Sequence, residues 1–197
     1  GSYYIACSQP VNYYTGFISP VKPVPSPSAS IPAPKPDPVP PSKPDPRPLP
    51  SPDPASKPTP SPVPVDPPEL TRDEQLLLSL VNGERAKRGL PGLTVDPRLV
   101  RLARLKSKDM LELGYFDHLS PTYGRSGDML KNAGIKFSLA AENIGMGSSV
   151  SGIFSAFMAS PGHSSKIVDS RYTLTGIGIV YQQGKGYRVT QLFLKPR

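Results

Sequence analysis

Proline is the residue that most limits what this chain can fold into. Of its 28 prolines, 23 lie before Glu69. Each removes a backbone donor and fixes a torsion, so a run of them can neither extend a helix nor occupy the middle of a sheet. From Val21 to Pro68 the text is proline with Ser, Lys, Asp and Val, as in P-A-P-K-P-D-P-V-P-P-S-K-P-D-P. Such a stretch has almost nothing to bury and builds no core. At about 3.1 Å per residue in polyproline II, its 48 residues reach on the order of 150 Å when extended. The paired opposite charges of the repeated K-P-D-P units favour a solvated, disordered linker over a single docking site for a proline-recognising partner.

Three regions follow from this boundary: an aromatic N-terminal segment (1–20), the proline-rich linker (21–68) and one folded domain (69–197). The last carries nearly all of the Leu, Ile and Met and is long enough to bury a sizeable core. The first, Y-Y-I-A-C-S-Q-P-V-N-Y-Y-T-G-F-I-S-P, is rich in strand-prone residues but too short to fold alone. It is either a disordered stub or an extended strand or apolar plug that docks on its own or a neighbouring domain. Gly1-Ser2 reads as a cloning remnant, ahead of which a secretory leader is expected to have been removed. The apolar windows are broken well short of the roughly 18 residues a transmembrane helix needs. The lone Cys7 supports no disulfide framework. It reads as a free thiol, with pairing between chains or lipid attachment as alternatives.

Within the domain, T-R-D-E predicts a helix start in which Thr71 caps and Glu74 reaches back to the Thr71 amide. Leu77, Leu80 and Val81 repeat at helical spacing until Gly89. Asp96-Pro97 predicts a second helix, with Leu99, Leu102, Ala103, Met110 and Leu113 on one side and Gly114 as the stop. Arg98, Arg101, Arg104 and Lys108 form a basic row read as a solvated face. A short helix is expected near Gly127 to Asn132, then a small-residue stretch through Glu142. Another helix runs from about Val150 to Ala159, ended by Pro161 and Gly162 before His163. The close, L-T-G-I-G-I-V-Y, a Q-G-K-G turn and Y-R-V-T-Q-L-F-L, alternates as half-buried strands do. Helices around a small antiparallel sheet give an α+β class.

Candidate chemistry rests on few residues. His118 and His163 are the chain's two histidines, and Glu142 lies between them in the apolar run A-A-E-N-I-G. Two imidazoles and a carboxylate are a minimal set for holding a divalent metal or moving a proton. Two nitrogen ligands alone imply modest affinity. Glu142 either completes the coordination or stays behind it and orients or deprotonates a metal-bound water. The competing structural reading has His118 fixing a turn and Glu142-Asn143 satisfying buried amides. Ser120, Ser160, Ser164 and Ser165 flank the histidines, but none lies in a G-x-S-x-G elbow, and serines beside Pro and Gly are mostly caps and turns.

The ordered motifs N-G-E-R near Asn82, S-K-D-M at Ser107, Y-F-D-H-L-S-P at Tyr115, A-E-N-I-G at Ala141, S-P-G-H at Ser160 and the glycine-spaced closing hairpin resemble the bacterial branch of the CAP superfamily. These are the SCP-like domains, related to cysteine-rich secretory, antigen-5 and pathogenesis-related proteins. The resemblance covers Thr71 to Phe193. It implies a three-layer α-β-α sandwich, export from the cell, and a cleft lined by His118, Glu142 and His163, in which the histidines hold a divalent metal, commonly zinc. It also places Ser160 and Ser120 at the cleft. Eukaryotic members usually carry a second glutamate on the helix before the second histidine; A-F-M-A-S-P-G-H has none, and Ser160 or a neighbour stands in that region. Where bacterial relatives often show Trp and Asn, this chain has Phe157 and Lys166.

Three functions follow as expectations. The foremost is a secreted or cell-surface module whose cleft binds a divalent metal and a small ligand, lipid, glycan or peptide, and which is not a conventional enzyme. The others are a metal-dependent peptide or ester hydrolase with Glu142 as catalytic base, and a stalk-displayed interaction protein of the cell envelope. The net charge of +8 is not accompanied by any nucleic-acid module. It predicts weak, salt-sensitive attraction to anionic envelope polymers or lipid headgroups.

Overall fold

A computed structural model of the chain describes Tyr3–Cys7, Val11–Asn12 and residues 69–197. The proline-rich linker, and with it the expectation of disorder there, lies outside the described residues. Strands β1 (Tyr4–Cys7) and β2 (Val11–Asn12) precede α1 (Arg72–Ala86), β3 (Thr94–Val95), α2 (Pro97–Glu112) and α3 (Ser126–Asn132). Then come β4 (Phe137–Gly147), α4 (Val150–Ala159), α5 (Pro161–Ile167), β5 (Leu174–Gln182) and β6 (Gly186–Pro196). The sheet runs β1-β4-β6-β5-β3, with β2 also on the outer edge of β4. It is antiparallel except for β3, which joins β5 in parallel.

The helix starts follow local chemistry. Thr71 and Glu74 close a reciprocal capping box, and the Asp96 carboxylate accepts from the Arg98 amide ahead of Pro97. Strand alternation then sorts the core into two layers. Leu139, Ala141, Val189 and Phe193 pack with Leu77, Val81, Ile153, Phe157 and Ile167 of α1, α4 and α5. Ala140 and Leu194 pack on the other face with Leu99 and Leu130 of α2 and α3. The result is the α-β-α sandwich.

The glycines of L-T-G-I-G-I-V-Y set the spacing of these layers. A Cβ at Gly176 would overlap the backbone of Leu99, and one at Gly178 the backbone of Ala103 and Arg104. α2 therefore lies directly on β5, close enough to bring residues after its C-terminus over the sheet.

Four expectations need correction. The small-residue stretch through Glu142 is β4, a strand in the sheet interior. Its Ala, Asn and Gly residues have low strand propensity, but they admit a close helix: a Cβ on Gly145 would come 2.5 Å from Ile153 Cγ2. Pro161 and Gly162 do not simply end a helix; Pro161 opens α5, the cap-then-proline pattern already used at Asp96-Pro97, so His163 is helical. Leu113 is 57% exposed rather than on the apolar side, because it caps α2 one residue beyond its last turn. Within the basic row, Arg104 is not a solvated charge: its Nε and Nη2 donate to Glu74 at 2.8 and 2.6 Å, and Glu74 is fully buried. Burial pushes the Glu74 carboxyl up, but Arg104 and the Thr71 amide outweigh it and hold it below the usual carboxylate range.

Candidate functional site

His118 sits in the loop after α2, and that loop is fastened by a polar network rooted in the helix. Asp109 Oδ2 accepts from the Tyr115 hydroxyl at 2.5 Å and the Ser120 hydroxyl at 2.7 Å, and Oδ1 accepts from Thr122 Oγ1 at 2.6 Å. Lys106, 1% exposed, donates from Nζ to the Tyr115 hydroxyl at 3.1 Å and to the carbonyl of His118 itself at 3.2 Å. Desolvation lowers the Lys106 pKa, opposed by the Glu142, Asp109 and Asp117 carboxylates. For Asp109 burial acts upward, but the Thr122, Tyr115 and Ser120 hydroxyls and the Lys106 charge together hold its carboxyl below the ordinary value. Tyr115 is shifted up by burial and by its bond to Asp109, so it remains a donor at any physiological pH.

That scaffold aims the His118 ring at β4. Its Nδ1 lies 2.5 Å from Glu142 Oε1, and Glu142 is fully buried. A carboxylate against one imidazole nitrogen fixes the tautomer with the proton on that side, leaving the other nitrogen as a lone pair. His118 Nε2 is that other nitrogen; it is buried and has no hydrogen-bond partner among the described residues.

His163 is held by different means. Its ring stacks on Phe157, with centroids 5.3 Å apart and planes 10° from parallel. Its Nδ1 is 2.8 Å from Ser160 Oγ. Asn143 Nδ2 donates to the His163 carbonyl at 3.1 Å. Glu142 and Asn143 are consecutive in β4 and leave it on opposite faces. The expected trio thus consists of a bonded pair, His118 and Glu142, and a third residue anchored at the next position of the same strand. Among the described residues no three His, Cys, Asp or Glu side chains converge as a metal-ligating group.

The serines expected at the cleft have structural duties. Ser120 is buried, donates to Asp109 and accepts from the Thr122 and Tyr123 amides at 3.0 and 2.8 Å, so its hydroxyl shapes the turn after His118. Ser160 is the N-cap residue of α5, with its hydroxyl on His163. Residues to which the sequence reading gave no role at the site are Lys106, Asp109 and Tyr115; Asn143, read there as satisfying buried amides, instead donates to the His163 carbonyl. Lys106 carried a signal: Leu99, Ala103, Lys106 and Met110 follow one another at three- and four-residue steps along the apolar stripe of α2, and a lysine there must meet a buried partner.

The N-G-E-R motif braces the other half of the site. Asn82 Oδ1 accepts from the Leu93 amide at 2.8 Å. The fully buried Arg85 donates to the carbonyls of Pro91, Ile167, Asp169 and Tyr172, tying α1 to the end of α5 and thus to the helix that carries His163. Among the described residues, no helix is long and apolar enough to cross a membrane.

Residues 78–193 match the family model described as CAP, cysteine-rich secretory protein family. The chain is similar to the uncharacterized protein YkwD of Bacillus subtilis, at 41% identity over 58% of this chain and 45% of that protein. It is also similar to the uncharacterized membrane protein YlbC of the same organism, at 35% identity over 55% of this chain and 32% of that protein. It therefore spans less than half the length of either curated relative. Among solved structures, an extracellular SCP-domain protein of Bacillus anthracis matches at 32% identity and TM-score 0.56, covering 65% of this chain and 45% of that one. An outer surface protein of Borrelia burgdorferi shares the fold at 19% identity and TM-score 0.60, over 64% and 93% of the two chains.

Proposed function

The chain belongs to the CAP, or cysteine-rich secretory protein, family, and on that premise we propose that residues 69–197 act as an extracellular ligand-binding module. In this reading His118 and His163 together hold a divalent metal, zinc foremost, and Glu142 orients His118 rather than coordinating. The extracellular SCP-domain relative from Bacillus anthracis supports an exported setting.

The observation that carries the reading is the His118–Glu142 pair. An imidazole whose Nδ1 is bonded to a buried carboxylate and whose Nε2 has no hydrogen-bond partner among the described residues has the arrangement of a metal-ligating histidine with its supporting acid. The donor set fits zinc, which takes imidazole nitrogen readily, but it is short of the three protein ligands usual in catalytic sites. The site is therefore weak, and the positions that protein does not fill are open to water or to a small ligand. Bound metal would supply Lewis acidity to such a ligand. The chain's own residues fix the ring, hold its proton on Nδ1 and present its lone pair.

Calorimetric titration of zinc into the full chain tests this. One weak site is expected in the parent, lost in both His118→Ala and His163→Ala. Glu142→Gln should weaken it about 10- to 100-fold through the ring it orients. If both histidine variants bind as the parent does, the metal reading is wrong.

A second reading, hydrolysis of a peptide or ester, is favoured by the same pair, since a carboxylate-backed imidazole is a competent proton acceptor. It moves the base from Glu142 to His118 Nε2, because Glu142 Oε1 already faces Nδ1. Product formation from mixed peptide and ester libraries in zinc-free buffer, since zinc would take the same Nε2 lone pair, lost in His118→Ala and reduced in Glu142→Gln, would promote it over binding alone.

A further inference from the structure

Strand β1 does not belong to the contiguous domain. It is separated from α1 by the whole proline-rich linker, yet it lies antiparallel on the outer edge of β4, pairing Tyr4 with Met146, Ile5 with Gly145, Ala6 with Ile144 and Cys7 with Asn143. β2 resumes the pairing at Ala140 and Leu139, so the two short strands bracket Ala141 and Glu142. Without them β4 would present an open edge of unpaired amides and carbonyls, a ready template for any extended peptide.

The domain also provides separate places for Tyr3, Tyr4 and Ile5. Tyr3 lies over two glycines: a Cβ on Gly147 or on Gly152 of α4 would overlap its ring. All three nearest atoms around the Gly152 position belong to Tyr3, so the absence of a side chain there makes room for the tyrosine. The Tyr3 hydroxyl is held by Ser148 Oγ at 3.2 Å and Ser149 Oγ at 3.3 Å. Ile5 packs on the α1/α4/α5 core. Tyr4, on the alternate face, borders an open hollow of about 270 Å³ with Met146, Gly147, Ser148, Lys185, Gly186 and Arg188. Main-chain pairing with separate sites for alternate side chains is the geometry of peptide recognition by strand addition.

We propose that the outer edge of β4, with the Gly147/Gly152 notch, is a peptide-binding site for an extended Tyr-Tyr-Ile segment, and that the chain's own Tyr3–Cys7 is its resident, displaceable occupant. The occupant is lightly held: Tyr3 and Tyr4 are 38% and 56% exposed. Its tether is long, so the effective concentration that holds it in place is at or below the millimolar range. A free peptide of the same pattern at comparable concentration then competes with it. The site is independent of His118, Glu142 and His163 side chains, so its test stands apart from that of the metal reading.

The test is fluorescence anisotropy with a labelled synthetic peptide spanning residues 2–12 and carrying Cys7→Ser, titrated with full-length chains. A chain with Tyr3→Ala and Ile5→Asp, which vacates the edge, should bind the peptide at least tenfold more tightly than the parent. Adding Gly152→Ala to that chain should cost at least tenfold in affinity with no fall in melting temperature, since alanine favours a helix over glycine. A peptide with the same Tyr3→Ala and Ile5→Asp changes should not bind. Equal binding by the parent and the vacated chain, or indifference to Gly152→Ala, overturns the proposal. So does a concentration-dependent dimer of the parent in light scattering that disappears in the vacated chain, because the occupant would then come from a second copy.

Discussion

Asp109→Asn is the perturbation that most directly probes the scaffold behind His118. The carboxylate accepts three hydroxyl donors, from Tyr115, Ser120 and Thr122, and balances the buried Lys106 charge. Asparagine keeps the shape but has one acceptor oxygen where Asp109 has two, and no charge. Hydrogen bonds to a charged group contribute about 1.5 to 3 kcal/mol each, and a buried charge left without its partner costs about 3 to 5 kcal/mol. With Glu142 and Asp117 still near Lys106, the lower end applies, about 3 kcal/mol. For a folded unit of about 130 residues that corresponds to a fall of roughly 10 °C in melting temperature. It is small enough for a domain stable by about 5 to 15 kcal/mol to remain folded at 25 °C.

The assay is thermal and urea unfolding followed by near-ultraviolet circular dichroism across pH. The folded-state pKa of Asp109 lies below its unfolded value, so its contribution is fully present above the unfolded carboxyl pKa, near 3.9, and disappears as pH falls through the folded value. The gap between parent and variant should be constant from pH 7 to about 5 and close below about 4. A variant within 2 °C of the parent at pH 7, or a gap that persists unchanged into acid, would refute the argument that the ionised Asp109 organises this loop.

Gly178→Ala should destabilise by about 2 to 3 kcal/mol, because its Cβ overlaps the α2 backbone and overpacking of that kind is not relieved by a rotamer change; urea midpoints measure it. Arg85→Ala should cost at least about 3 kcal/mol by orphaning the buried carbonyls of Ile167 and Tyr172 and losing the part-buried bonds to Pro91 and Asp169, and slow-exchanging amides in α5 should lose protection in hydrogen exchange. Retention of the full chain on isolated anionic envelope material should fall as salt rises from 50 to 500 mM, as expected for a chain of net charge +8; retention independent of salt would exclude charge as its cause.

Much of the fold was readable because local and global preferences agree. Thr71 with Glu74, Asp96 with Pro97 and the glycine-spaced hairpin each state their own structure. β4 was not readable, since the requirement that favours Ala, Glu, Asn and Gly there is the approach of helices on both faces, which no local propensity expresses. α5 was hidden for another reason: Ser160 both ends α4 and caps α5, with Pro161 opening the new helix, whereas Pro161 and Gly162 read in sequence only as a helix end. At the site, His118 and Glu142 could be named from residue chemistry, but their bond could not, because the ring is positioned by Asp109, Tyr115 and Lys106 through contacts of six to thirteen positions along the chain. Lys106 was the readable clue, a lysine in phase with Leu99, Ala103 and Met110.

The succession of Glu142 and Asn143 on one strand has a consequence for what this sequence tolerates. Adding or deleting a single residue between Phe137 and Glu142, with the upstream pairing kept, would turn the acid toward α5 and the amide toward α2. His118 would then face the wrong group, and so would the carbonyl of His163. A change of two residues would restore both. The parity of that short stretch, more than the identity of Leu139 or Ala140, decides which histidine receives the acid.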